Sequence, residues 1–231
     1  DIAYHKNKFD RGFSRCIDVW GADHHGHVAR MKGAMDAIGL DGEKLDVVLM
    51  QLVKLMQNGE EVRMSKRTGK AIQLSDLLDE VPVDAARFLF NMKDAGTQMK
   101  FDLDLAVQQD AENPVYYVQY AHARICSILR ALKADGIEPR ECTNEELMLL
   151  KEPEEVELIR HMASYTDEII AAAKAYDPAR INHYVITLAT LFHKFYNSCR
   201  VKGVEDGLCA ARLTLCVCDK TIIHNVITMF K

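Results

Sequence analysis

Hydrophobic positions change rhythm partway along this 231-residue chain. In its first part, short apolar runs alternate with helical spacing. Cys16-Ile17-Asp18-Val19-Trp20-Gly21 reads as a strand ending at a glycine. Val28, Met31, Met35 and Ile38 then recur every three or four residues, as along one face of a helix, with Gly39 as its C-terminal cap. Val47 to Leu55 is dense in β-branched and large apolar side chains, the composition of one buried strand. Asn58-Gly59 is a two-residue hairpin signal that turns the chain into a second strand, Glu60 to Met64. Ser75 is placed to cap a short helix reaching Leu78, Pro82 interrupts it, and a further helix starts at Asp84 with Ala85, Phe88 and Leu89.

Near Phe101 to Leu105 the alternation stops, and only helical patterns follow. Asn113-Pro114 supplies an N-cap and a first-turn proline, and Val115, Val118, Ala121, Ile125 and Leu129 form an apolar stripe behind it. Pro153 with Glu154, Glu155 and Glu157 starts a second helix with negative charge at its N-terminus. Asp177-Pro178 opens a third with Val185, Leu188, Leu191 and Phe192 on its core face. Val204 to Phe230 holds a fourth, with a break expected near Gly207. The expected fold is α/β over residues 1–105 followed by an all-α, antiparallel helical bundle over residues 106–231. Strand, helix, strand is the order of an open parallel sheet, whose ligands sit beyond the carboxyl ends of the strands.

Composition narrows the class. No apolar run reaches the length of a membrane span, and no secretory signal is present, so no membrane partner is expected. Asp1 leads straight into a patterned segment, which suggests a piece of a longer chain. Seven scattered cysteines, with Cys216 and Cys218 the only close pair, suit buried thiols in a reducing cytoplasm better than a zinc site. A net charge of −5 makes neither half a general polyanion binder, so any nucleic-acid contact needs a local basic patch and shape.

Two segments carry chemistry. Gly21-Ala22-Asp23-His24-His25-Gly26-His27 lies where a strand hands over to a helix. Gly21 admits a flat ligand to the backbone, Asp23 can accept from ribose hydroxyls, and the helix N-terminus offers N–H groups to anionic oxygens. Two other readings compete: histidines filling a polar strand end, and a metal set of His5, His24, His25 and His27, whose spacing converges poorly. The second segment, Glu60 to Gly69, places Met64-Ser65-Lys66-Arg67 between Arg63 and Lys70, with no acidic side chain from Val62 to Ser75. Such a cationic loop stabilises a phosphate that gains charge during reaction, although Lys/Arg runs are commonly just solvated faces.

Taken together, Asp1-Ile2-Ala3-Tyr4-His5, the Gly21–His27 block, Asn58 to Gly69, and Asn113-Pro-Val-Tyr-Tyr117-Val-Gln119-Tyr120-Ala121-His122-Ala123-Arg124 resemble the arginyl-tRNA synthetases of bacterial type, within class I of the aminoacyl-tRNA synthetases. The resemblance covers essentially the whole chain. It implies the second half of a Rossmann-type catalytic domain joined to an anticodon-binding bundle. The implied reaction is ATP-driven activation of arginine to an adenylate, then transfer to the terminal ribose of tRNA(Arg).

By that resemblance Lys66 is the catalytic cation, neutralising the phosphates as pyrophosphate leaves, with Mg2+ accompanying ATP and no tightly bound protein metal. Gly21, Asp23, His27, Met64 and Ser65 join Lys66 at ATP, with packing at the helix start an equal reading for His27. Asp1 and His24 face arginine. Tyr117, Tyr120 and Arg124, on one helical face, contact tRNA, against the alternative that the tyrosines pack in the bundle. The family's His-x-Gly-His element follows its first strand, well before the blocks matched here; His24-His25-Gly26-His27 has the same letters but sits in the Gly-Ala-Asp block and is not assigned that role, so the chain alone is expected to be inactive. A monomeric, cytoplasmic protein is also expected. The competing class is a non-catalytic tRNA- or protein-binding module on the same scaffold.

Overall fold

The computed structural model describes residues 1–62 and 72–231. Met64, Ser65 and Lys66 lie outside the described residues.

A first layer forms around a small core of its own. Helix α1 (Ile2–Asp10) precedes strand β1 (Cys16–Gly21), a 3-10 turn (Ala22–His24) and helix α2 (His25–Ala37). Gly39, at φ +81°, closes α2 in the left-handed conformation that glycine tolerates. A second 3-10 turn (Gly42–Lys44) leads into β2 (Leu45–Met50), which lies parallel to β1 with Cys16 opposite Leu45 and Gly21 opposite Met50. Cys16, Met31, Met35 and Leu45 are the buried residues of this core. The other face of β1 is bare: Ile17 is 50% and Val19 60% exposed.

Residues 47–55 do not form one strand. The chain leaves the first sheet after Met50 and enters a second as β3 (Val53–Gln57), paired antiparallel with β4 (Glu60–Val62) and parallel with β5 (Met99–Asp102). At the break, the Gln51 N–H donates to the Ala95 carbonyl at 2.8 Å, anchoring the crossing to the second layer. These strands are half-buried rather than fully buried. Asn58 (φ +51°) and Gly59 (φ +77°) make the hairpin turn, both with the positive φ that a type I′ turn requires.

Helix α3 (Leu74–Glu80) is capped two residues earlier than the expected Ser75: Gln73 is its N-cap, in a reciprocal capping box with Asp76. Helix α4 (Val83–Phe90) follows Pro82, and α5 (Leu103–Val107) follows β5, capped by Asp102.

The remainder is helical. Asn113 caps α6 (Pro114–Ala134), its side chain accepting from the Val115 N–H at 3.0 Å. After a short α7 (Asn144–Leu147), the segment opened by Pro153 forms two helices rather than one, α8 (Pro153–Ala163) and α9 (Tyr165–Ala175), parted at Ser164. Helix α10 (Ala179–Ser198) packs against α6, α8, α9 and α11 (Asp206–Met229). Contrary to the expected break, α11 is continuous through Gly207, which is buried in its first turn against Glu146 and Leu149. One apolar core runs from Leu77 in α3 through Phe101 in β5 to Phe230, so the second sheet and the bundle share an interior. Inside it, Arg212 Nε donates to Glu155 Oε1 at 2.6 Å, bolting α11 to α8. Among the described residues no helix is long and apolar enough to cross a membrane.

Candidate functional site

Two clefts collect the residues singled out by sequence. The first opens at the carboxyl end of β1, with a volume of about 400 Å³, and Asp1, Ile17, Trp20, His24 and His27 are in its wall. A second opening adjoins it, lined by Asp1, Asp23, His24, His27, Gly26 and Arg30. Gly21 ends the strand beside them. A Cβ added there would sit 2.5 Å from Asp23 Oδ1, so only glycine leaves that carboxylate where it is. Asp23 and His24 are solvent-facing, their side chains 3.7 Å apart at Oδ2 and Nε2. His24 is also the N-cap of α2 and makes no side-chain cap bond, so beyond the His25 N–H, which bonds the Ala22 carbonyl, the first turn has no side-chain cap and can face an anionic group. His27 tilts against the Trp20 ring at 5.4 Å between centroids, so it both packs at the helix start and borders the cleft.

His5 takes a different place from the histidines of the Gly21–His27 block. It is buried, with Nε2 2.5 Å from Asp18 Oδ2 and Nδ1 2.8 Å from the Asp1 carbonyl oxygen. Both ring nitrogens thus face an oxygen. Lys8 Nζ donates to the other Asp18 oxygen at 3.0 Å. Burial pushes the Asp18 carboxyl up, but the bonds from His5 and Lys8 and their charges outweigh it, and its pKa is lowered overall. Sequence reading passed over this network, because its members are separated along the chain and only the fold brings them together. Among the described residues no three His, Cys, Asp or Glu side chains are arranged to hold a metal ion.

The second cleft, about 500 Å³, lies on the helical half between the start of α6 and the end of α10. Tyr117, Tyr120 and Arg124 all line it. Tyr117 is half-buried, its hydroxyl donating to Thr190 Oγ1 at 3.3 Å and its ring 5.2 Å from that of His193. Tyr120 is 46% exposed and near-parallel to Tyr116, with centroids 6.2 Å apart. The Arg124 guanidinium lies 4.6 Å from the centre of the Tyr196 ring, which fixes its planar head beside the aromatic surface. Packing and exposure therefore divide between the two tyrosines.

The structure adds Tyr116, His193 and Asn197 to this wall. His193 sits within 6.0 Å of Tyr120, and burial, with Arg124 next, holds its pKa below the ordinary value. The adjacent tyrosine pair was a readable signal for Tyr116. Nothing local marks His193 or Asn197, which reach the cleft only because α10 packs on α6.

Residues 118–231 match the family described as DALR anticodon binding domain. The arginine–tRNA ligase of Caldanaerobacter subterraneus subsp. tengcongensis is 59% identical over 232 residues, 100% of this chain and 41% of that relative. That of Ruminiclostridium cellulolyticum is 54% identical, over 99% of this chain and 41% of its own length. The chain thus spans about two fifths of the length of these relatives. Among solved structures, one from Campylobacter jejuni described as an arginyl-tRNA synthetase matches with a TM-score of 0.85 and 34% identity, over 100% of this chain and 49% of that one. The arginyl-tRNA synthetase of Thermus thermophilus shares the fold at a TM-score of 0.77 and 19% identity, over 94% of this chain and 40% of that one. By sequence and fold together, the chain is similar along its whole length to part of the arginine–tRNA ligases, and residues 118–231 of its helical half match the DALR anticodon binding domain.

Proposed function

We propose that this chain forms part of an arginine–tRNA ligase, contributing one wall of the site that activates arginine with ATP and the surface that holds the anticodon loop of tRNA(Arg). The observation that carries the reading is the gathering of Asp1, Gly21, Asp23, His24 and His27 around the carboxyl end of β1, where open parallel sheets bind their ligands. ATP lies with its adenosine over Gly21, its ribose hydroxyls donating to Asp23, and an anionic oxygen facing the uncapped N-terminus of α2. The Asp1 carboxylate pairs with the planar guanidinium of arginine, a match a single point charge does not provide, and His24 borders the same space. Lys66, with Met64 and Ser65 beside it in sequence, neutralises charge as pyrophosphate leaves, and Mg2+ accompanies the nucleotide. Arginine then moves from the adenylate to the terminal ribose of tRNA.

On the helical half, exposed Tyr120 stacks on an unpaired base, while Arg124, held by Tyr196, reaches a base edge or phosphate. Tyr117 supports that surface from beneath through Thr190. The 231-residue chain by itself neither activates arginine nor charges tRNA in this reading. Its support is the bare Ile17 and Val19 face of β1, since parallel strands are ordinarily covered on both faces.

Lys66→Ala, placed in a complete ligase containing this segment, tests the assignment. Arginine-dependent pyrophosphate exchange falls by at least about 100-fold, as for loss of one transition-state charge contact, with tRNA affinity unchanged. Unchanged exchange would instead favour a binding module with no catalytic role.

A further inference from the structure

The two cores of the molecule are joined at both ends of β2. At its carboxyl end, the Gln51 N–H bonds the Ala95 carbonyl at 2.8 Å, next to Leu52, which is 78% exposed. Near its amino end, the Tyr176 hydroxyl donates to Asp46 Oδ2 at 2.7 Å, across 130 residues of chain. Asp46 is held from the other side by Arg15 Nε at 3.1 Å. The two attachments are about 15–17 Å apart at strand rise per residue. A single attachment would leave a sheet free to pivot. A second, separated attachment removes every pivot except rotation about the line that joins the two.

The backbone at Tyr176 is unusual in the same sense. It ends α9 at φ +52°, ψ +36°, a left-handed conformation that glycine or asparagine adopts more easily. A tyrosine kept there aims its hydroxyl at the first sheet. Asp46 lies opposite Ile17 in the β1–β2 register, one residue from Asp18, which holds His5, which in turn holds the Asp1 carbonyl at the cleft. A continuous line of contacts thus runs from the end of α9 to the wall of the first cleft.

We propose that Tyr176 is a positioning residue: through Asp46 it clamps the β1–β2 layer, and the cleft at its carboxyl end, onto the helical half of the chain. With the clamp closed, the cleft and the aromatic surface keep one relative orientation. With it open, the β1–β2 layer swings about Gln51 and Leu52. The use made of that orientation, aligning an adenylate site with a bound tRNA, rests on the function proposed above, whereas the clamp itself does not.

Residual dipolar couplings of the 231-residue chain test it directly. In the wild type, amides of residues 16–50 and of α10 and α11 fit one common alignment. Tyr176→Phe keeps the ring and removes only the hydroxyl, and Asp46→Asn weakens the acceptor. Each loses the common alignment, with the couplings of residues 16–50 scaled down relative to the bundle. Tyr176→Gly does the same while placing glycine where it is conformationally at ease, so the bundle stays folded. A common alignment that survives in both Tyr176→Phe and Tyr176→Gly overturns the clamp, as does a loss of α10 and α11 structure in both. Binding of an anticodon stem-loop RNA is measured on the same samples. Its failure in the wild type would count against the proposed function, while the couplings would still decide the clamp.

Discussion

Replacing Arg212 by Met breaks a buried ion pair whose geometry sets the size of the loss. Glu155 is fully buried and Arg212 is 6% exposed, with Nε to Oε1 at 2.6 Å. Arg212 Nη1 also donates to the Arg200 carbonyl at 2.6 Å, and Glu155 Oε2 accepts from the Glu152 N–H at 2.9 Å as part of the α8 capping box. Arg212→Met leaves a buried carboxylate with one backbone donor and no counter-charge, which costs about 3–5 kcal/mol. Glu155→Leu leaves the guanidinium stranded at a similar cost of about 3–5 kcal/mol. The double variant removes both charges together, so it loses only the cap and the Arg200 contact, about 1–2 kcal/mol in all. Urea denaturation followed by circular dichroism measures the three values and a coupling of at least about 3 kcal/mol. If the double variant loses the sum of the single variants, or Arg212→Met costs under about 1 kcal/mol, the pair does not join α8 to α11 as argued.

Three further outcomes follow from particular contacts. Gly21→Ala pushes the Asp23 carboxylate aside, and because that side chain is exposed, thermal stability changes by less than about 0.5 kcal/mol while ATP affinity of a complete ligase falls, readable by calorimetry. Asp219 is buried with neither carboxylate oxygen partnered among the described residues, and burial raises its pKa well above the ordinary range. It is protonated in the fold and ionised in the unfolded chain, so stability falls as pH rises past the ordinary carboxylate range, and Asp219→Asn flattens that fall in denaturation series. His122 and His193 have pKa values lowered first by burial, so they stay neutral in the fold; stability also falls as pH drops below their ordinary 6.5, and a His122→Gln/His193→Gln variant loses that acid limb.

Sequence reading succeeded where a local rule decides. Asn58-Gly59 announced its turn because two consecutive positive φ angles are cheap for few residue pairs, and Asn113-Pro114 announced α6 by cap chemistry alone. It failed where pairing decides. Residues 47–55 are apolar except at Gln51 and Lys54 and read as one strand, yet the chain changes sheets at Gln51, held by a carbonyl 44 residues away. Strand β5 is four residues long and is a strand because β3 lies beside it. The clefts divide in the same way. Asp23, His24 and His27 sit in one contiguous motif and were legible. His5 joined to Asp18, and His193 beside Tyr117, required the packing of separate elements. Tyr176 carries no motif, and only its bond to Asp46 marks it.

The central claim is that the aromatic cleft between α6 and α10 holds an unpaired RNA loop. Fluorescence anisotropy of a labelled tRNA(Arg) anticodon stem-loop, titrated with the chain and with its Tyr120→Ala and Arg124→Gln variants, tests it most directly. The account predicts saturable binding to the wild type and a loss of about 5- to 100-fold for Tyr120→Ala, the range of one base–aromatic stack, with a comparable loss for Arg124→Gln. Equal affinity for all three proteins, or no binding by the folded wild type, would contradict it.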